Sequence, residues 1–175
     1  MQLPIVPVKY CSHLKGKKPS QITDDMLIKV SGGGKMEKCA GAAWEAMVTA
    51  AKTDGVILKP TSSGDQFRSI AQQKAGFLIR YSEHEIVGAS TRTYDGKKWW
   101  LKPHNAPLAA PNDDAKTCSK HMLGLAVDVA NANGKILDWL IANEQKFGFS
   151  HEVVPEEPWH IRYTAGDDIP EAVKQ

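Results

Sequence analysis

Residues 119–129 set His121 and Asp128 seven positions apart, separated by Gly124 and by small or apolar residues. Glu157-Pro158-Trp159-His160 follows about thirty residues later. Together the two stretches supply two imidazoles and two carboxylates. A catalytic zinc site needs three protein ligands, an open position for water and usually a base close by. These side chains are therefore read as the makings of a zinc-dependent hydrolytic centre. Asp128 adds a physical reason: it lies in an otherwise apolar strand, and a carboxylate buried there without a partner is costly. A bound cation would remove that cost.

The elements around these residues must bring them together. Residues 124–130 alternate, with Leu125, Val127 and Val129 on one face and Ala126, Asp128 and Ala130 on the other. The small neighbours leave room above Asp128 for a metal and a substrate. His121 precedes this strand in a turn loosened by Gly124. In residues 159–163, Trp159, Ile161 and Tyr163 alternate with His160 and Arg162. Glu157 and His160 differ by three, so a straight strand would point them to opposite faces. Both can serve one site only if the chain bends at Pro158.

The scaffold is expected to be α+β: a small, mainly antiparallel sheet carrying the site, with two or three helices packed on it. Residues 38–53 show the apolar period of a helix, through Ala40, Ala43, Trp44, Met47, Val48 and Ala51, with Gly55 at its end. Residues 26–30 and 56–60 read as short strands, and Gly32 to Gly34 as a turn. A second helix is expected over residues 66–80, capped by Asp65 and carrying Arg68 in its first turn. A third is expected over residues 135–147, stopped by Gly148. Residues 81–111 are broken by glycine and proline and read as a long covering loop beside the site. The whole chain reads as one domain: an irregular arm at 1–35, a catalytic core at 36–163 and a polar tail at 164–175.

Composition narrows the function. A net charge of +2 without a basic run gives no footprint for nucleic acid. No stretch approaches the ~18 apolar residues of a membrane span, so no stable membrane association is expected. Met1 to Pro7 lacks the basic and apolar regions of a leader peptide, which points to synthesis in the cytoplasm. Cys11, Cys39 and Cys118 are odd in number and widely spaced, and they read as buried or free thiols.

Ser119-x-His121-x-x-Gly124-x-Ala126-x-Asp128, followed by Glu157-x-x-His160 with Trp159 before the histidine, resembles the signature of the D-alanyl-D-alanine metallopeptidases. That superfamily includes the VanX and VanY types and phage peptidoglycan endopeptidases, with the Hedgehog signalling domain as a fold relative. Residues 63–69 with Gln72 resemble the family's SGYRS segment, with one extra residue and phenylalanine for tyrosine. The resemblance covers about residues 56–163. It implies that His121, Asp128 and His160 hold Zn2+, that Glu157 is the general base and that Arg68 polarises the scissile carbonyl. Ser119, Gln72 and His151 would contact substrate or orient ligands.

The implied reaction is hydrolysis of a peptidoglycan stem peptide, at D-Ala-D-Ala as a carboxypeptidase or at L-Ala-D-Glu as an endopeptidase. The expected agent is a monomeric phage lysis or virion-associated enzyme, reaching the wall after membrane permeabilisation or carried in a virion. A cytoplasmic D-Ala-D-Ala dipeptidase is the alternative enzyme. A non-catalytic zinc module on the same fold is the alternative class, and Glu157 argues against it, because a purely structural zinc needs no base.

Overall fold

The computed structural model describes residues 5–175, so the reading of the opening residues as lacking a leader rests partly on residues outside that range. β1 (Leu27–Lys29) and β2 (Lys35–Glu37) form an antiparallel hairpin through the triple-glycine turn. α1 (Lys38–Thr53) follows at once, over the span that its periodicity predicts. Glu37 caps it: the side chain accepts hydrogen bonds from the backbone N–H groups of Cys39 and Ala40. The buried face of α1, with Ala40, Ala43, Trp44, Met47 and Ala51, enters the main core.

Residues 56–60 form no strand of their own. Pro60 bridges to Val129, and that segment lies beside the site strand as a short edge. A proline without an N–H cannot extend the ladder further. α2 (Ile70–Arg80) starts later than expected, because Ser69 and Gln72 form a reciprocal capping box. Ser69, and not Asp65, is the cap, and Arg68 stands just before the helix.

Residues 81–111, expected as a loop, contain a second sheet. β3 (Tyr81–Ser82), β4 (Thr91–Tyr94) and β5 (Lys97–Leu101) pair antiparallel in the order β3-β5-β4. Asp95 and Gly96 join β4 to β5, both with positive φ, 54° and 71°. That is the conformation a tight type I′ hairpin turn demands. Phe77, Tyr81, Tyr94 and Trp99 pack into a satellite cluster, which gives Trp99 a packing role.

The site sheet consists of β6 (Ala126–Asp128), β7 (Phe149–His151) and β8 (His160–Tyr163), antiparallel, with β8 in the middle. α3 (Gly134–Asn143) and the 3-10 turn Glu144–Phe147 link β6 to β7. Gly148, at φ 83°, ends that turn. The buried faces of Val127, Phe149, Ile161 and Tyr163 join the main core. Among the described residues, the segments flanking the core also pack on it. Lys9 bridges to Ala165, Cys11 and Leu14 are buried, and α4 (Glu171–Lys174) lays Ala172 and Val173 against the core. The fold is α+β.

Candidate metal centre

Asp128 and His160 are Cα partners across the β6–β8 ladder. Directly opposed residues of an antiparallel pair share a face, so sheet register alone brings these two side chains together. His121 arrives from the 3-10 turn Lys120–Leu123, which Gly124 terminates at φ 74°. The carbonyl of Gly124 accepts from the Glu37 N–H at 2.9 Å, tying this turn to the end of β2. The expected bend at Pro158 is present. The His160 N–H donates to the Glu157 carbonyl at 3.1 Å, closing a tight turn just before β8.

The donor atoms converge. One ring nitrogen of each histidine and one oxygen of Asp128 lie within 4.8 Å of one another. Asp128 Oδ1 is 3.1 Å from His121 Nε2 and 3.0 Å from His160 Nδ1. The far sides of both rings decide what these atoms carry. His121 Nδ1 is 2.8 Å from the Gln66 carbonyl, which can only accept, so the proton sits on Nδ1 and Nε2 offers a lone pair. His160 Nε2 donates to Glu152 at 2.9 Å, which frees Nδ1. Three lone-pair donors therefore face one another, and only a cation or added protons can hold them there. This orientation by second partners is how metal-binding histidines are usually set.

Electrostatics agree. Burial lowers the pKa of His121 and keeps it neutral. Burial would lower that of His160 as well, but its hydrogen bonds to Asp128 and Glu152 outweigh this and raise it to about 9. Without metal, a proton on His160 thus supplies the missing positive charge. Burial works against the Asp128 charge, yet the two neighbouring imidazoles, the protonated His160 above all, hold its pKa well below the usual carboxylate range. A divalent cation can take the place of such a proton, and the donor set of two imidazoles and one carboxylate suits zinc with an open fourth position.

Glu152 is the residue that sequence reading missed. It follows β7 and sits between His160 and Arg162, whose Nη1 is 2.8 Å from its carboxylate. Burial would raise its pKa, but the His160 hydrogen bond and the Arg162 charge hold it at about 2. No local motif marks it. Its role follows from the β7–β8 pairing, which opposes Ser150 to Arg162.

The remaining expected residues separate into two groups. Glu157 is half-buried beside the cluster, and its carboxylate makes no hydrogen bond to a described residue. Burial and the nearby Asp128 and Glu152 charges raise its pKa, against the pull of His160 and of Arg92 on β4. Arg68 is brought alongside by its backbone N–H, which donates to the His121 carbonyl at 3.1 Å. Its Nε is buried without a partner among the described residues, and burial lowers its pKa while Asp128 supports the charge. Both residues therefore keep a free functional group near the centre.

Ser119, Gln72 and His151 are engaged within the fold. Ser119 Oγ accepts from the His121 N–H, and Gln72 Oε1 accepts from the Ser69 N–H. Both oxygens serve as caps, while the Gln72 amide N–H groups and the Ser119 hydroxyl proton have no partner among the described residues. His151 is buried, with Nδ1 held by Glu144 and Nε2 donating to the Pro158 carbonyl at 2.8 Å. It props the Glu157 turn from below and has no face open to substrate. An open cleft of about 350 Å³ does reach the centre, lined by Thr61, Asp65, Asp128, Asn131 and Trp159.

The model of the VanY D-alanyl-D-alanine carboxypeptidase family matches residues 33–166. The chain belongs to the VanY family. Its membership places it in the D-Ala-D-Ala metallopeptidase superfamily and among the peptidoglycan carboxypeptidases. None of the curated proteins matches it. Among solved structures, a VanY D,D-pentapeptidase variant from a VanB-type resistance cassette, in complex with Zn(II), superposes with a TM-score of 0.57 at 22% identity, covering 91% of this chain and 86% of that one. VanYB in complex with D-Ala-D-Ala gives 0.59 at 22%, with 97% and 89% covered. The LdcB LD-carboxypeptidase gives 0.58 at 23%, with 89% and 74% covered. These likenesses show the shared fold.

Proposed function

We propose that the protein is a zinc-dependent carboxypeptidase that removes the terminal residue from D-Ala-D-Ala-ending stem peptides. The convergence of three lone-pair donors on one point, both imidazoles fixed by partners on their far sides, carries this reading. His121 Nε2, Asp128 and His160 Nδ1 would hold the ion. When bound, zinc supplies a Lewis acid and brings the pKa of water from 15.7 to about 7.

The rest of the reaction falls to the chain itself. Glu157, whose raised pKa suits a base, takes the proton of the attacking water and returns it to the departing amine. Arg68, its Nε unpaired, is free to balance the charge developing on the carbonyl oxygen. Water adds across the peptide bond, giving free D-Ala and a shortened stem. Arg162 and Glu152 hold His160 in the tautomer that leaves Nδ1 free.

Incubation with a D-Ala-D-Ala-ended stem peptide tests the proposal. Release of D-Ala that a chelator blocks and zinc restores is expected. Absence of product from this peptide and from purified peptidoglycan would favour a non-catalytic module. The bond is also open to test, because removing a terminal D-Ala leaves cross-links intact, whereas cutting L-Ala-D-Glu releases them. Clearing of a peptidoglycan suspension would therefore replace the carboxypeptidase reading with an endopeptidase of the phage lysis or virion-associated kind.

A further inference from the structure

A second cluster of ligand-type side chains lies away from the catalytic centre, where the N-terminal arm docks on α1. The Sγ atoms of Cys11 and Cys39 and a carboxylate oxygen of Glu37 lie within 4.8 Å of one another. Zinc–sulfur bonds of 2.3 Å place two tetrahedral ligands roughly 3.8 Å apart, so atoms within 4.8 Å of one another need only small shifts to share one coordination sphere. His13 stands at the edge, with Nε2 3.0 Å from Glu37 Oε2. That nitrogen is buried and has no aligned hydrogen-bond partner among the described residues. Cys11 and the Glu37 side chain are completely buried, whereas the His13 side chain is 35% exposed.

Helix capping accounts for part of this arrangement. Glu37 Oε1 and Oε2 accept from the backbone N–H groups of Ala40 and Cys39, both at 2.9 Å. Capping gives no reason for two thiols and an imidazole to gather around the same carboxylate. The sulfurs come from segments that lie far apart in the sequence, one on the arm and one in the first turn of α1. Two thiolates, a carboxylate and a nearby imidazole form a donor set that favours zinc over magnesium or calcium.

We propose that Cys11, Cys39 and Glu37 form a second metal site for a thiophilic divalent ion, zinc above all, with His13 positioned to complete it. Binding there releases the thiol protons and fastens the arm to the helix, so its energy goes into folding. The site is separate from the catalytic one but linked to it. Glu37 is a ligand here, and its N–H holds the Gly124 carbonyl in the turn that carries His121.

Cobalt substitution of the reduced, metal-stripped wild-type protein tests this directly. The catalytic donor set contains no sulfur, so any thiolate-to-cobalt charge-transfer band in the near ultraviolet must come from cysteine. The expected result is such a band saturating at one equivalent, with two equivalents of cobalt bound in all. Asp128→Ala/His160→Ala should keep the band and lose one equivalent, and Cys11→Ser/Cys39→Ser should lose the band. One bound equivalent with no band in the wild type would overturn the site. So would peptide mapping that finds Cys11 and Cys39 joined as a disulfide in the protein as purified. Because the decisive reading uses the wild type, it stands whether or not the variants fold, and it holds independently of hydrolysis.

Discussion

At His121, Asp128 and His160, the outward ring nitrogens are spent on Gln66 and Glu152, so that lone pairs are left facing one another. At Cys11, Glu37 and Cys39, the thiols bring protons of their own, and Cys11 Sγ donates to Glu37 at 3.3 Å while backbone N–H groups satisfy the carboxylate. The first cluster demands a cation; the second accommodates one. The difference lies in the far-side partners and could not be read from the ligand types alone. It also suggests different uses: an ion held between constrained lone pairs beside an open cleft, against an ion sealing an arm to a helix.

The strongest way to break this contrast is to remove a ligand from the demanding cluster. His160→Ala should abolish metal binding at the catalytic centre and D-Ala release together, as seen by metal analysis and product assay. Glu157→Gln should separate the two properties: metal is retained, and kcat falls by about 10²–10⁴. Glu152→Ala tests whether the far-side partner matters. It leaves all three ligands in place yet should weaken zinc binding by about 10–100-fold, measured by competition with a chromophoric chelator. The smallest effect is expected where the two clusters touch. An alanine Cβ at Gly124 would lie 2.7 Å from the Glu37 nitrogen, at a φ of 74°. Gly124→Ala should cost about 1–3 kcal/mol and lower Tm by several degrees, with zinc affinity shifting in the same variant.

Much of the candidate metal centre was legible because its information is local or periodic. The alternation around Asp128 and the spacing of Glu157 and His160 predict a shared face and a bend, and the β6–β8 register and the 157–160 turn supply both. α1 was legible for the same reason, since an alanine-rich period of three and four spans its full length. The hairpin of β4 and β5 escaped because its signal is the Asp95-Gly96 turn, not a long apolar run. The start of α2 was misplaced because Ser69 and Gln72 cap each other. Glu152 and the Cys11–Cys39 cluster depend on tertiary pairing between distant segments, for which the sequence holds no spacing rule.

Family membership and geometry meet in the claim that His121, Asp128 and His160 hold the ion on which hydrolysis depends. Titrating zinc into the metal-stripped protein while following D-Ala release from a D-Ala-D-Ala-ended stem peptide tests it most directly. The account predicts no release before zinc, restoration as the catalytic centre fills, and no restoration in His160→Ala at any zinc concentration. Full release by the stripped protein, or equal restoration in His160→Ala, would contradict it.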